Sequence, residues 1–380
     1  MRQGPASVLV GGTVAFLLAS CGSSGSGLVP RSPDATPPPS SAPSPTASSS
    51  QAPSPAAADL RLVIQDYAVP EVRLARLDAT RTAVVKGQFD GIVAGKVIVL
   101  DGRALESLSS DGKVKVLGQL AASPNWFGPG TVVVKPDLSQ WMYTITDDTW
   151  TSRIHLGSAT GDHVIATIPS PDGNAFYQTF AWNGTGVYLV KEATGLGGAG
   201  PFLEYHFALA TFTPSTGKVV DVAPECRAYG ILDDGTQICG VFNQGYLEVR
   251  LPSGQTRKVQ LTIGGGAGGY DDWAYSHVTL SPDGKRLIAA RNGAKDPLVN
   301  YQMAVADLTA SSATAFGPLD FLPDTWLPDG RVVADHECEQ FPDAGPCDAT
   351  LNGTYIFSAD GKSHSLFYKL KQGSAVVGYI

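Results

Sequence analysis

Acidic and aromatic side chains that could bind a ligand or carry out acid–base chemistry cluster in a few irregular stretches of the sequence. These stretches cover residues 125–129, 146–151, 193–202, 264–275 and 335–350. Aromatic faces combined with carboxylates suit a sugar, a peptide or a cation. The candidate binding residues are Trp126, Asp147, Asp148, Trp150, Tyr270, Asp271, Asp272, Trp273, His336 and Glu337. Alternatively, the rings pack against strands and the acids are simply solvated.

No catalytic motif accompanies these residues. The stretches expected to fold contain no Gly-x-Ser-x-Gly, His-Glu-x-x-His or P-loop sequence, and the carboxylates are too numerous to single out a glycosidase pair. The histidines show no metal-ligand spacing; they are His155, His163, His206, His277, His336 and His364. We therefore predict no catalytic residue, no metal and no cofactor.

The N-terminus predicts export. Arg2 precedes a short apolar run from residue 6 to residue 18, which is too short to span a bilayer. The sequence Leu18-Ala19-Ser20-Cys21 resembles a bacterial lipobox, which implies a signal peptide at 1–20 and diacylation of Cys21. An ordinary cleaved signal with a chance cysteine is the alternative. Two acyl chains would hold the protein at the outer face of the plasma membrane, and Gly22 favours the outer membrane in a two-membrane cell.

Residues 21–58 are almost wholly Ser, Pro, Ala, Gly and Thr, which predicts a disordered tether ahead of a folded domain at 59–380. The formal net charge of -8 argues against nucleic acid as a partner, because phosphate binding requires a basic surface. The expected partners are the membrane, through Cys21, and an envelope protein or glycan.

The remaining cysteines fall into two close pairs, Cys226 with Cys239 and Cys338 with Cys347. The first pair flanks a turn at 233–235, which should form a hairpin and bring the two sulfurs across from each other. In an exported protein we expect both pairs to form disulfides. A thiolate metal site is disfavoured, since the chain has no Cys-x-x-Cys pair.

Two kinds of turn recur between short hydrophobic runs. The first has Pro-Asp-Gly chemistry, which suits a tight hairpin, and lies at 170–173, 281–284 and 327–330, with weaker copies at 135–137 and 233–235. The second lies at 213–218 and 251–255 and near Asp78, Asp111, Gly161, Thr309 and Asp360. Its spacing of about 30 to 55 residues predicts four-stranded units in a repeat.

This pattern resembles the WD40-like repeats of TolB-type β-propellers, whose blades carry Ser-Pro-Asp-Gly at the first turn. The resemblance implies an all-β fold, a propeller with seven four-stranded blades (six or eight as alternatives), closed by pairing of N- and C-terminal strands. A pair of β-sandwiches is the competing fold.

In a propeller the tight turns would share one face and the irregular stretches the other. The sequence thus favours a non-enzymatic binding module that uses the second face. The alternatives are a polysaccharide lyase or glycosidase-like enzyme that uses the acids of that face, and a spacer with no ligand.

Overall fold

The computed structural model describes residues 59–123, 130–170, 173–193, 206–241, 246–261, 275–291, 302–336, 348–369 and 374–380. Its strands form seven four-stranded antiparallel sheets arranged as the blades of a ring. A 3-10 helix covers Ala349–Leu351. The predicted seven-bladed propeller is therefore confirmed.

The four strands of each blade run in order from the innermost to the outermost. Blade 1 is β4 (Gln88–Val93), β5 (Lys96–Asp101), β6 (Ala104–Leu108) and β7 (Val114–Gln119). Blade 2 is β8 (Val133–Val134), β9 (Gln140–Thr146), β10 (Ser152–Ser158) and β11 (Gly161–Ile168). Blade 3 is β12 (Ala175–Asn183), β13 (Gly186–Ala193), β14 (His206–Thr213) and β15 (Lys218–Pro224).

Blade 4 is β16 (Cys226–Ile231), β17 (Gln237–Val241), β18 (Tyr246–Arg250) and β19 (Thr256–Gln260). Blade 5 is β20 (Tyr275–Leu280), β21 (Arg286–Arg291), β22 (Gln302–Asp307) and β23 (Ala313–Leu319). Blade 6 is β24 (Leu322–Trp326), β25 (Val332–His336), β26 (Gly353–Phe357) and β27 (His364–Tyr368). Blade 7 combines the last strand, β28 (Ser374–Tyr379), with β1 (Leu62–Asp66), β2 (Glu71–Ala75) and β3 (Arg81–Lys86).

The ring is closed in the way the sequence predicts. β28 pairs antiparallel with β1, with Leu62 opposite Tyr379 and Asp66 opposite Ser374. Closure of this kind removes two exposed strand edges that would otherwise invite aggregation.

Hydrophobic side chains lie mainly between neighbouring blades. In the described part of the chain, each blade-to-blade interface has its own buried cluster; for example, Leu105 of blade 1 packs with Trp141 of blade 2. The interface between blades 7 and 1 is filled in the same way, by residues such as Val63 and Val99. The core is therefore a ring of interfaces between blades.

The turn predictions are confirmed with one exception. All the predicted third-to-fourth turns lie between the third and fourth strands of their blades, and the turns at 135–137, 233–235, 281–284 and 327–330 join first to second strands. The Ser-Pro-Asp-Gly sequence at 170–173 was wrongly assigned, because it connects β11 of blade 2 to β12 of blade 3.

The hairpin of blade 3 instead turns at Asn183, whose Oδ1 accepts hydrogen bonds from the Thr185 backbone N–H at 3.0 Å and from the Thr185 hydroxyl at 2.6 Å. An asparagine here accepts the turn hydrogen bond that an aspartate accepts in blades 2, 4, 5 and 6.

Most of the innermost strands have a bulge against their second strands. The extra residue is Asp90 in blade 1, Phe180 in blade 3, Tyr229 in blade 4, Asp324 in blade 6 and Val377 in blade 7. A bulge re-aims one side chain without ending the strand. Two carboxyls, those of Asp90 and Asp324, therefore occupy matching positions in different blades.

Candidate functional site

Strand direction separates the connections into two faces. The turns that join first to second and third to fourth strands define the tight-turn face. The second-to-third and blade-to-blade connections define the long-loop face. Of the predicted binding residues, Asp147, Asp148, Trp150 and His336 are described. The others, Trp126, Tyr270, Asp271, Asp272, Trp273 and Glu337, lie outside the described residues.

Asp147, Asp148 and Trp150 belong to the connection between β9 and β10 on the long-loop face. The Oδ1 of Asp147 accepts the backbone N–H groups of Thr149 at 3.0 Å and Thr151 at 3.1 Å, while its Oδ2 pairs with Arg153 at 2.8 Å. Asp148 is exposed. Asp147 thus shapes the loop, and Asp148 is the acid that the loop presents to solvent.

Trp150 joins two blades at this face. Its ring stacks on Phe176 of β12 with centroids 5.5 Å apart and an angle of 27° between the planes. Its backbone φ of 61° lies in the left-handed region, which a bulky residue rarely adopts. The turn holds this conformation through a hydrogen bond from Trp150 N–H to the Asp147 carbonyl at 2.9 Å. One face of the ring is therefore committed to packing.

His336 occupies a different environment from the one expected. It ends β25, is only 3% exposed, and has its Nδ1 3.2 Å from Oδ1 of Asn352. Phe321 packs edge-on against its ring with centroids 5.1 Å apart. The residue is part of the blade 6 interior rather than of an open surface. Strand β25 continues two buried residues, Asp335 and His336, into the stretch that was predicted to be irregular.

Tyr67 was not predicted. It lies between β1 and β2 on the long-loop face and is 64% exposed, next to Val69 at 48%. A large aromatic exposed to this degree is the kind of residue that anchors an interface. Its only signal in the sequence is its position after a buried strand.

A second polar site lies between blades 1 and 2. Tyr143 on β9 and His155 on β10 are directly opposite each other, and their rings stack with centroids 4.9 Å apart. Asp162 on β11 receives the Tyr143 hydroxyl at one oxygen and lies 2.8 Å from His155 Nδ1 at the other. The backbone N–H of Ala121, from blade 1, donates to the Tyr143 oxygen at 2.6 Å.

The hydrogen bonds set the direction of the Tyr143 hydroxyl. Since the Ala121 N–H donates to the Tyr143 oxygen, the hydroxyl hydrogen points to Asp162. In the tautomer with the proton on Nδ1, His155 donates to Asp162 and its Nε2 faces away from the carboxylate. Burial, followed by the hydrogen bond to Asp162, raises the pKa of Tyr143 well above its usual range.

The network borders a cleft of about 660 Å³, a volume usual for small-molecule sites. Besides His155 and Asp162, the cleft is lined by Arg103, Ser158, Thr160 and His163. The sequence indicated only that His155 and His163 lack metal-ligand spacing. The turn between β10 and β11 was predicted, but the pairing register that sets His155 diagonally beside Asp162 was not.

Asp90 is an unusual carboxyl near the long-loop end of β4. Its Oδ1 accepts the backbone N–H of Val132 at 3.2 Å, whereas its buried Oδ2 has no hydrogen-bond partner among the described residues. The residue as a whole is partly exposed. Burial of the carboxyl raises its pKa to about 7, and the Val132 hydrogen bond offsets only part of that rise.

Cys226 and Cys239 form a disulfide across β16 and β17, with Cα atoms 4.9 Å apart. The predicted pairing is confirmed, although the cysteines are diagonal neighbours, since Cys226 lies opposite Val241. Such a bond supports an extracytoplasmic location, because the cytosol keeps thiols reduced. Cys338 and Cys347 lie outside the described residues.

The described residues hold neither a metal-ligand cluster nor a membrane-spanning helix. They contain no group of three or more His, Cys, Asp or Glu side chains placed to hold a metal ion. No helix in the described part of the chain is long and apolar enough to cross a membrane.

No family model and no curated protein matches the chain. Among solved structures, TolB from Acinetobacter baumannii is similar at 17% identity and TM-score 0.37, covering 80% of this chain and 78% of that one. Oligogalacturonate lyase from Vibrio parahaemolyticus has 12% identity and TM-score 0.46, covering 72% and 87%. A candidate 6-phosphogluconolactonase from Bacteroides fragilis has 13% identity and TM-score 0.47, covering 84% and 97%. The chain thus resembles TolB proteins and propeller enzymes alike in fold, and that resemblance does not select an activity.

Proposed function

We propose that this protein is a lipid-anchored extracytoplasmic binding module that contacts an envelope protein or glycan through its long-loop face. The supporting features are the lipobox at Cys21, the tether composition of 21–58 and the disulfide of blade 4. The observation that carries the proposal is where the chain enters the propeller.

That entry point lies on the tight-turn face. Arg61 and Ile380 exchange backbone hydrogen bonds of 2.8 Å at the end of blade 7 where the other blades have their first-to-second turn. The chain before Leu60 is therefore attached at the tight-turn face, and the long loops lie at the opposite ends of the strands. A chain that enters at the tight-turn face leaves the ends of the long loops unobstructed by that connection.

The anchor is tested by Cys21→Ser. We expect the wild-type protein to take up a fatty-acid label and to fractionate with membranes, and the variant to do neither. Equal membrane association of the two forms, with no label on either, would remove lipidation from the proposal.

Binding is tested by cross-linking intact envelopes and then recovering the protein together with any molecule that is covalently cross-linked to it. Trp150→Ala/Trp273→Ala should lose the specific adducts seen with the wild type. Trp182→Ala is the matched control, since Trp182 is the last residue but one of β12, near the tight-turn face, and is also partly buried. Glycan or protein content of the adducts identifies the partner class. Equal recovery from both variants and the wild type would contradict the proposal.

A second candidate function, an enzyme acting on polysaccharide, is favoured by Asp90. A carboxyl with a pKa near 7 is poised to exchange a proton at neutral pH, as general acids in glycan cleavage do. Turnover of any member of a polysaccharide panel that disappears in folded Asp90→Asn would support this function. Absence of turnover across the panel would contradict the enzymatic function, and the binding module would be the remaining proposal.

A further inference from the structure

We propose that the cleft between blades 1 and 2, which we call the side cleft, binds a small oxyanion that also carries hydroxyl groups. It is lined by Arg103, His155, Ser158, Thr160, Asp162 and His163. Arg103 comes from a second-to-third connection, but no residue of the 146–151 loop lines the cleft, so the site would stand even if the proposed function failed.

Arg103 supplies the anion-binding group. It lies in the turn between β5 and β6, and its Nε donates to the Leu120 carbonyl at 2.7 Å. This bond holds the guanidinium at the cleft wall. Among the described residues its two terminal nitrogens have no hydrogen-bond or ion-pair partner, and the residue is exposed. A guanidinium fixed at one edge and open at the other suits a carboxylate or phosphate, which accept paired N–H donors.

His155 supplies a second, directional group. Its side chain is 9% exposed, lines the cleft and has its Nδ1 2.8 Å from Asp162 Oδ1. With the proton on Nδ1, Nε2 has a lone pair that a ligand hydroxyl can donate to. The Tyr143 stack and the Asp162 contact together hold the ring in place.

Asp162 is the one carboxylate in the described lining of the cleft, and both of its oxygens already have hydrogen-bond partners, Tyr143 and His155. Arg103 has no paired acid among the described residues, so its terminal nitrogens are available to an anion.

Hydroxyl groups complete the site on the other wall. Ser158 and Thr160 lie in the β10–β11 turn, with their hydroxyl oxygens 2.9 Å apart. Each hydroxyl can both donate and accept, so the pair can bind the hydroxyls of a ligand whose anionic group sits on Arg103. The cleft volume of about 660 Å³ holds a ligand of several carbon atoms.

Titration calorimetry on the full mature chain tests the inference with four probes. Gluconate and glycerol 3-phosphate combine charge with hydroxyls, inorganic phosphate has charge alone, and sorbitol has hydroxyls alone. We expect one of the first two to bind at least about tenfold more tightly than either single-feature probe, each tenfold being about 1.4 kcal/mol. Which of the two binds distinguishes a carboxylate from a phosphate ligand.

Arg103→Gln should weaken that binding by about tenfold or more, as expected for loss of a charge-assisted pair. Arg257→Gln is the matched control, because Arg257 also donates to a backbone carbonyl, that of Leu308 at 2.7 Å, but does not line the cleft. Thermal unfolding of both variants confirms that they fold. The inference is overturned if no anionic probe binds at millimolar concentration, or if the two variants bind alike.

Discussion

Arg61 and Ile380 exchange two backbone hydrogen bonds of 2.8 Å and so join the two ends of the propeller within one blade. The same blade buries Leu62 of β1 and Val376 of β28 against blade 6. Closure therefore combines a hydrogen-bonded edge with an apolar interface, and removing either end exposes both.

Deleting residues 374–380 should abolish cooperative unfolding or lower the midpoint by more than about 10 °C, because it uncovers β1 as an edge and strips the interfaces of blade 7. Circular dichroism against temperature measures this. Leu366→Ser is the control. It changes an exposed side chain on the outer strand β27, so this variant should unfold like the wild type. A truncated protein with an unchanged midpoint would contradict closure by β28.

The Cys226–Cys239 disulfide should stabilise the fold by about 3 kcal/mol, the value expected for a closed loop of its length. Both cysteines are fully buried between blades 3 and 4, so reduced thiols at these positions would have no contact with solvent. Denaturant unfolding of Cys226→Ala/Cys239→Ala measures the difference. Ala leaves a small apolar side chain in the same buried cluster. A loss below about 1 kcal/mol would show that the bond does not constrain the unfolded chain as expected.

Asp90 should make stability fall as pH rises. Its pKa is raised to about 7, so the native state holds the proton more firmly than the unfolded chain does. That stabilisation is fully present below the ordinary aspartate pKa and is lost as pH rises through about 7. Asp90→Asn should thus raise the free energy of unfolding near pH 8 by on the order of 1 kcal/mol, a modest figure because the residue is partly exposed, and change it little near pH 3, below the ordinary aspartate pKa.

Asp360→Asn is the control with the opposite sign. Hydrogen bonds from the Ser358 hydroxyl and then from the Lys362 backbone N–H lower the pKa of Asp360 to about 2. Its contribution is present above the ordinary aspartate pKa and lost as pH falls through about 2, so this variant should be less stable at neutral pH and equal to wild type in strong acid. If the free energies of unfolding of the two variants, relative to wild type, changed with pH in the same way, the opposite pKa shifts of Asp90 and Asp360 would be contradicted.

Gly157→Ala should destabilise the propeller by about 1–3 kcal/mol through overpacking. A Cβ at position 157 would overlap the indole of Trp141, which is 1% exposed and is also confined by Gly118. Gly184→Ala is the control, since a Cβ there meets nothing within 4 Å. Equal unfolding midpoints for the two variants would mean that Trp141 has room to move.

Local turn chemistry explains why much of the fold could be predicted from sequence. Asp111 and Asp360 each accept the backbone N–H two residues on, at 3.3 and 3.2 Å, so the turn is specified by residues within it. The turn at 170–173 shows the limit of this reasoning. Its sequence matches the hairpin turn at 281–284, but its place between blades depends on where the next hairpin forms, at Asn183.

The side cleft could not be predicted for a related reason. Tyr143, His155 and Asp162 come from three strands, and their contacts follow from pairing registers that the sequence does not state. Arg103 belongs to another blade altogether. His336 was predicted to be on the binding face but is buried. Its acidic, loop-like neighbours in the sequence give no sign that it is the last buried position of β25.

The central claim, that the long-loop face meets the partner, is tested most directly by photo-cross-linking in living cells from one position on each face. Asp148 is exposed on the long-loop face, and Ser253 is exposed in the β18–β19 turn of the tight-turn face. A photoreactive residue at position 148 should give discrete adducts of higher mass, and the same residue at position 253 should give none. Adducts from position 253 alone, or the same adducts from both positions, would contradict the account.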